Sequence, residues 1–196
     1  MSKCYLIRLQ ESVSVGTSVT ASDTMTHRIE VTNVLTEKEM KKLLAEELEK
    51  QGWEEISDRV YKKKSENNGI ELVWDLEKGE VTASLAQDKE VVHETVVTIH
   101  SHSERGAQKE LKRRKKAEQD RVEAAAETVQ RKMQKQISNL LGDSEEERRK
   151  QLNQILEKVY GEALKRKAMT LGNVMSIDES IEGDDYELII RVVDGA

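Results

Sequence analysis

The stretch that decides the reading of this chain is SERGAQKELKRRKKAEQDRVEAAAETVQRKMQKQISNLLGDSEEERRKQLNQILEKVYGEALKRKAMTL, residues 103–171. Val122, Ala126, Val129, Met133, Ile137 and Leu140 recur in it at spacings of three and four. That is a narrow helical seam of the coiled-coil kind. Ahead of Val122 the seam thins to Ala107, Leu111 and Ala117. The turn Leu141-Gly142-Asp143-Ser144 interrupts the period, and Ser144 with Glu147 forms a capping box for a second helix. Glu145 and Glu146 suit the positive end of that helix. Its apolar stripe is Leu152, Ile155, Leu156, Val159, Ala163 and Leu164. Two amphipathic helices joined by a tight turn are expected to pack antiparallel, as an arm.

On either side of this stretch the period changes to two. Upstream, residues 3–15, with Cys4 and Tyr5 at their start, read as a strand. Residues 16–26, rich in Ser and Thr, read as a loop, and 27–34 as a second strand. Thr36 and Glu39 form a capping box, Leu35 and Met40 a hydrophobic staple, and Gly52 a stop, which predicts a helix over 36–51. Met40, Leu43, Leu44 and Leu48 are its buried face. Strands follow at 55–64, 70–76, 81–85 and 90–99, separated by Asn67-Asn68-Gly69, by Glu77-Lys78-Gly79-Glu80 and by Gln87-Asp88. Trp53 and Trp74 are expected in the core. Downstream, 174–181 and 186–193 form a hairpin across Glu182-Gly183-Asp184-Asp185, with YELIIRVV apolar enough to return to the same sheet. The expected class is α+β: an antiparallel sheet, meander plus C-terminal hairpin, with one packed helix and an inserted two-helix antiparallel coiled-coil arm. The expected boundaries are 1–102 and 172–196 for the body and 103–171 for the arm.

Composition narrows the function. The 196 residues include no Pro and no Phe, aromatics are 3% and charged residues 36%. Absence of Pro fits unbroken helices and ladders, and the lack of aromatics argues against a deep aromatic ligand pocket. Cys4 is the only cysteine, so no internal disulfide can form, and it reads as a small core residue. The N-terminal MSKCYLIRLQESVS lacks an apolar signal-like run, and no stretch approaches the ~20 apolar residues that span a bilayer. A cytoplasmic location is expected.

No nucleophile elbow, zincin, dinucleotide-binding or phosphate-loop motif is present. His100 and His102 share a face if extended, with His93, His27, Glu94 and Glu104 as further ligands to consider. The simpler reading is a polar strand exit. The acidic clusters sit at turns and at a helix start, where they have structural roles. We therefore expect no enzyme, no metal and no cofactor.

The remaining polar feature is basic: Lys109, Lys112, Arg113, Arg114, Lys115, Lys116 and Arg121 fall within four helical turns. Residues 101–170 hold 18 Lys and Arg against 12 Asp and Glu, a net of +6, while the rest holds 14 against 26, a net of −12. Such a stripe reads as a solvated face, as a dock for an acidic protein surface, or as a phosphate binder. Nucleic acid ranks below protein because no aromatics interleave the stripe for stacking and the acidic body repels a phosphate backbone. The expectation is an interaction or adaptor module that binds an acidic partner or self-associates through the arm. The alternative is nucleic-acid binding through 109–121.

The order strand, capped helix, Gly-Trp and meander, in HRIEVTNVLTEKEMKKLLAEELEKQGWEEI and GIELVWDLEKGEVTASL, resembles a known group. The likeness, in which Leu48, Gly52 and Trp53 take part, covers about residues 27–86, extends to the terminal hairpin and leaves out the arm. The group is the small strand-rich accessory domains encoded beside FtsH-like AAA+ ATPases, von Willebrand A proteins and MoxR-type ATPases in bacterial ternary systems. It implies a non-catalytic component of an ATPase-linked assembly, with no catalytic residues to carry over.

Overall fold

A computed structural model describes residues 7–182 and 185–193. Cys4, Tyr5 and the Gly183-Asp184 centre of the last turn lie outside the described residues. The elements run β1 (Ile7–Arg28), α1 (Glu37–Lys50), β2 (Glu54–Ser57), β3 (Val60–Lys64), β4 (Glu71–Asp75), β5 (Glu80–Ser101), α2 (Glu104–Asp143), α3 (Glu145–Leu171), β6 (Asn173–Glu182) and β7 (Asp185–Val193). The class is α+β, with a five-stranded sheet in the order β1-β5-β4-β3-β2 and a separate β6-β7 sheet. The hairpin therefore does not return to the meander's sheet. Contacts group the chain into two compact units, 1–23 with 86–139 and 24–85 with 140–196. β1, β5 and α2 each give a stretch to both.

In the second unit, α1 begins and ends as its sequence dictates. Thr36 accepts from the Glu39 backbone N–H, and the Glu39 carboxylate accepts from the Thr36 N–H at 3.1 Å, closing the capping box. At the other end Gly52 has φ +78°, and the N–H groups of Gly52 and Trp53 bond to the carbonyls of Glu49 and Leu48. This is a Schellman stop, which only a residue tolerant of positive φ completes without strain. The reversal drops Trp53 onto Trp74 edge-to-face, with ring centroids 6.1 Å apart. Trp74 lies opposite Tyr61 on β3 and Val81 on β5, and Leu72 opposite Ala83, so these side chains share the buried face of the sheet.

The long helix α3 packs on α1 and on β6 and β7. Lys158 and Arg166 reach Glu47 and Glu46 of α1 at 3.6 and 3.7 Å, and the Tyr160 hydroxyl accepts from the Thr32 N–H at 2.9 Å. Leu152, Ile155, Val159 and Ala163 are buried, but Leu164, expected in the stripe, is 42% exposed. The expected capping box at Ser144 does not form. α2 runs on to Asp143, and the Ser144 hydroxyl donates back to the Leu140 carbonyl at 2.6 Å instead.

The hairpin lies with Tyr186 over Gly161 and Val192 against Gly172. YELIIRVV is consequently half-buried on one face, with Ile189 and Val193 exposed on the other, rather than a central strand. A Cβ at Gly161 would collide with the Tyr186 hydroxyl and sit 3.1 Å from Cζ. Gly161→Ala gains about 1 kcal/mol of helix propensity but incurs overpacking of about 1–3 kcal/mol. We expect a net loss of stability, seen as a lower Tm, and recovery when Tyr186→Leu is added. A G161A protein as stable as wild type would show that the ring has room to move.

The Tyr186 hydroxyl donates to Glu179 at 2.8 Å. Burial, and then this bond to a carboxylate, push its pKa up to about 12. A folded pKa above the unfolded value near 10 means stability present below about pH 10 and lost as pH rises toward 12. The alkaline limb of a pH–stability curve should therefore flatten in Tyr186→Phe. A curve of identical shape would remove the argument.

The first unit is a two-strand ladder with a helix. As β1 runs from Gly16 it meets β5 at Val92, so a Cβ there would stand 3.4 Å from that side chain. Burial alternates strictly along β1, with odd residues from Leu9 inward and even ones exposed. The expected loop at 16–26 is thus strand. Thr17, Val19, Ala21, Asp23 and Met25 continue the inward row, while Ser18, Thr20, Ser22, Thr24 and Thr26 face solvent. Thr is itself β-prone. In the same way the expected turn at Gln87-Asp88 is absent and β5 runs unbroken, whereas the strand expected at 27–34 ends at Arg28. Val13, Val97, Ile99 and Ala107 form a core, with Leu9, Val15 and Leu111 packed on it. Ala107 is small enough to bring α2 close to the ladder.

Candidate functional site

The basic stretch begins one turn after the start of α2. Ser103 caps that start, its hydroxyl accepting from the Gly106 N–H at 3.2 Å. From there the buried face runs Ala107, Val122, Met133 and Ile137, with Leu111, Ala126 and Val129 half-buried along it, and it continues to Leu141, not to Leu140, which is 41% exposed. Polar side chains on the flank tie the helix to β1. Gln130 and Gln134 donate to the carbonyls of Thr20 and Ser22 at 3.3 and 3.0 Å, and the Ser138 hydroxyl meets Asp23 at 2.5 Å.

With that face turned to the ladder, the seven basic residues separate. Lys115 is held at 2.5 Å by Glu11 of β1, so its charge is part of the packing. Arg113 and Arg114 both lean on Glu110, at 3.7 and 3.5 Å, and Arg121 bonds Glu118 at 2.7 Å. Lys109, Lys112 and Lys116 are exposed and make no ion pair among the described residues. Spaced by three and four, they share one face of the helix. Arg105, exposed and four residues before Lys109, extends the same face. It was missed because Glu104 and Gly106 beside it hide the run in the sequence, although the i, i+4 step to Lys109 was there to find.

The result is a short row of solvated cations over a rigid, ladder-backed helix. It can supply charge attraction and steering to an acidic surface. His93 lies 3.5 Å from Glu118, and His100 is exposed at the end of β5. Among the described residues no group of three or more His, Cys, Asp and Glu is placed to hold a metal ion. No helix among them is long and apolar enough to cross a membrane.

Comparison with curated proteins and with solved structures finds no match. A family model described as FtsH ternary system domain X5 matches residues 1–193. The match takes in β1, α2 and α3 as well as the 27–86 stretch and the terminal hairpin that carry the resemblance, so the helical stretch is part of the family.

Proposed function

The chain belongs to the FtsH ternary system domain X5 family, and from that premise we propose that it is a non-catalytic docking component, held to its partners through the solvated face of α2. Membership makes it an accessory domain of an FtsH-linked system and implies protein partners. The observation that carries the finer reading is the row Arg105, Lys109, Lys112 and Lys116, cationic, exposed, on one face of α2 and without an ion pair among the described residues. In a chain that is acidic overall, such a cationic row is suited to a partner of opposite sign.

The test is direct binding between the full chain and each purified component of its own ternary system, measured by interferometry at low and moderate salt. The expected result is a complex with one component that weakens as salt rises. Retention of DNA or RNA at low salt with no protein complex would overturn the reading.

A further inference from the structure

We propose that the cavity beneath the start of α3 binds a small organic oxyanion, a phosphate monoester or carboxylate on a short aliphatic stem. The inference goes beyond the docking reading and is independent of it. The cavity has a volume of about 230 Å³ and lies wholly within the second unit. Leu72, Val81 and Ala83 of the sheet and Leu152 and Leu156 of α3 line its apolar part. Its polar lining is Arg148, His27, Asn153 and the exposed Arg28 and Arg149, with one carboxylate, Glu145.

Two of these groups stand out: Arg148 is a buried cation that is hydrogen-bonded but has no counter-ion among the described residues, and His27 has a buried ring nitrogen with no hydrogen-bond partner. Arg148 is 7% exposed. Its guanidinium donates to the Leu141 carbonyl at 2.8 Å, to the Met25 sulfur at 3.5 Å and to the Ser144 hydroxyl, yet it meets no carboxylate within ion-pair distance among the described residues. Burial holds its pKa below the usual arginine range, with only the more distant Glu145 charge acting the other way. His27 Nε2 is buried without a hydrogen-bond partner. Glu145 lies 3.9 Å from that nitrogen and 3.8 Å from Arg149, within ion-pair distance of Arg149 but too far for a hydrogen bond to either.

A buried cation without a counter-ion is costly, and buried polar groups are ordinarily satisfied. The Leu141 carbonyl, at the end of α2, offsets part of the Arg148 charge. Three arginines against one carboxylate still leave the cavity cationic. Guanidinium groups match the oxygens of carboxylate and phosphate through paired N–H donors, and the aliphatic walls favour a ligand with an apolar stem over a bare ion. A mostly apolar cavity with a few convergent polar groups has the general composition of a small-molecule site.

Titration of the full chain with hexyl phosphate, hexanoate, hexanol and inorganic phosphate, followed by calorimetry and by amide chemical shifts, tests this. One saturable site for hexyl phosphate or hexanoate is expected, at least tenfold tighter than for inorganic phosphate and absent for hexanol. The tighter of the two anions identifies the head group. Arg148→Met should abolish binding. Because that variant removes a buried contact, Arg28→Gln with Arg149→Gln serves as the surface counterpart and should weaken binding at least fivefold with an unchanged circular dichroism spectrum. No saturable binding below about 1 mM, equal binding of inorganic phosphate, or affinity indifferent to the double substitution would each overturn the assignment.

Discussion

Trp74→Ala is expected to lower the unfolding free energy by about 3–5 kcal/mol, as truncation of a fully buried aromatic does. Trp74 is 1% exposed, at the middle of β4, paired across the sheet with Tyr61 and Val81. Removing it opens a void bordered by β strands on both sides, which cannot close without breaking ladder hydrogen bonds. It also forfeits the edge-to-face pair with Trp53, worth about 0.5–1.5 kcal/mol beyond area. Trp53 is fixed from its own side by the Schellman turn, so it cannot swing in to fill the space. Urea unfolding followed by circular dichroism measures the loss, and the remaining Trp53 reports the same core by fluorescence. Val73→Ala, one residue away on the opposite, half-exposed face, should cost far less. Equal losses for the two, or less than about 1 kcal/mol for Trp74→Ala, would contradict the placement of the core.

Lys109→Glu, Lys112→Glu and Lys116→Glu combined should weaken partner binding by tenfold or more while leaving stability within about 0.5 kcal/mol, as exposed, unpaired side chains allow. Reversal replaces attraction by repulsion along one helix face, and the loss should fall mainly on the association rate at low salt. The four other cations provide controls from the same stretch. Arg113 and Arg114 are already engaged by Glu110, so their reversal should act more weakly. Lys115→Met should leave binding unchanged but loosen α2 from β1, because its charge is spent on Glu11. If the triple variant binds as tightly as wild type, or if Lys115→Met does the greater harm to binding, the docking face lies elsewhere.

How much of this was legible in the sequence differs from element to element. α1 was readable to within a residue at each end, because Thr36, Glu39 and Gly52 act on backbone groups a few residues away. The turns at Asn68-Gly69 and Lys78-Gly79 were readable for the same reason; Gly69 and Gly79 both have positive φ. The tract at 16–26 was not, since Ser and Thr serve a loop and a solvated strand face equally well. Only pairing with β5 decides between them. Leu140 and Leu141 are adjacent and chemically alike, and which of them is buried depends on how the last turn of α2 meets the rest of its unit.

The cationic row was half-readable. The residue types and the helix were evident, but a helical wheel cannot show that Glu11, more than a hundred positions away, takes Lys115 out of it. Nothing in the run EEERRK, residues 145–150, sets Arg148 apart from its neighbours, and only the packing of α3 buries it.

The sequence by itself determined the α+β class, the capped helix, the two long helices and the excess of positive charge on them, because these depend on contacts within a turn or two of the chain. Only the tertiary structure decided that β1 and β5 run unbroken, that the last hairpin forms its own sheet against α3, and which cations remain unpaired. Each of those depends on a partner far away in sequence, and a local pattern compatible with several partners cannot choose among them.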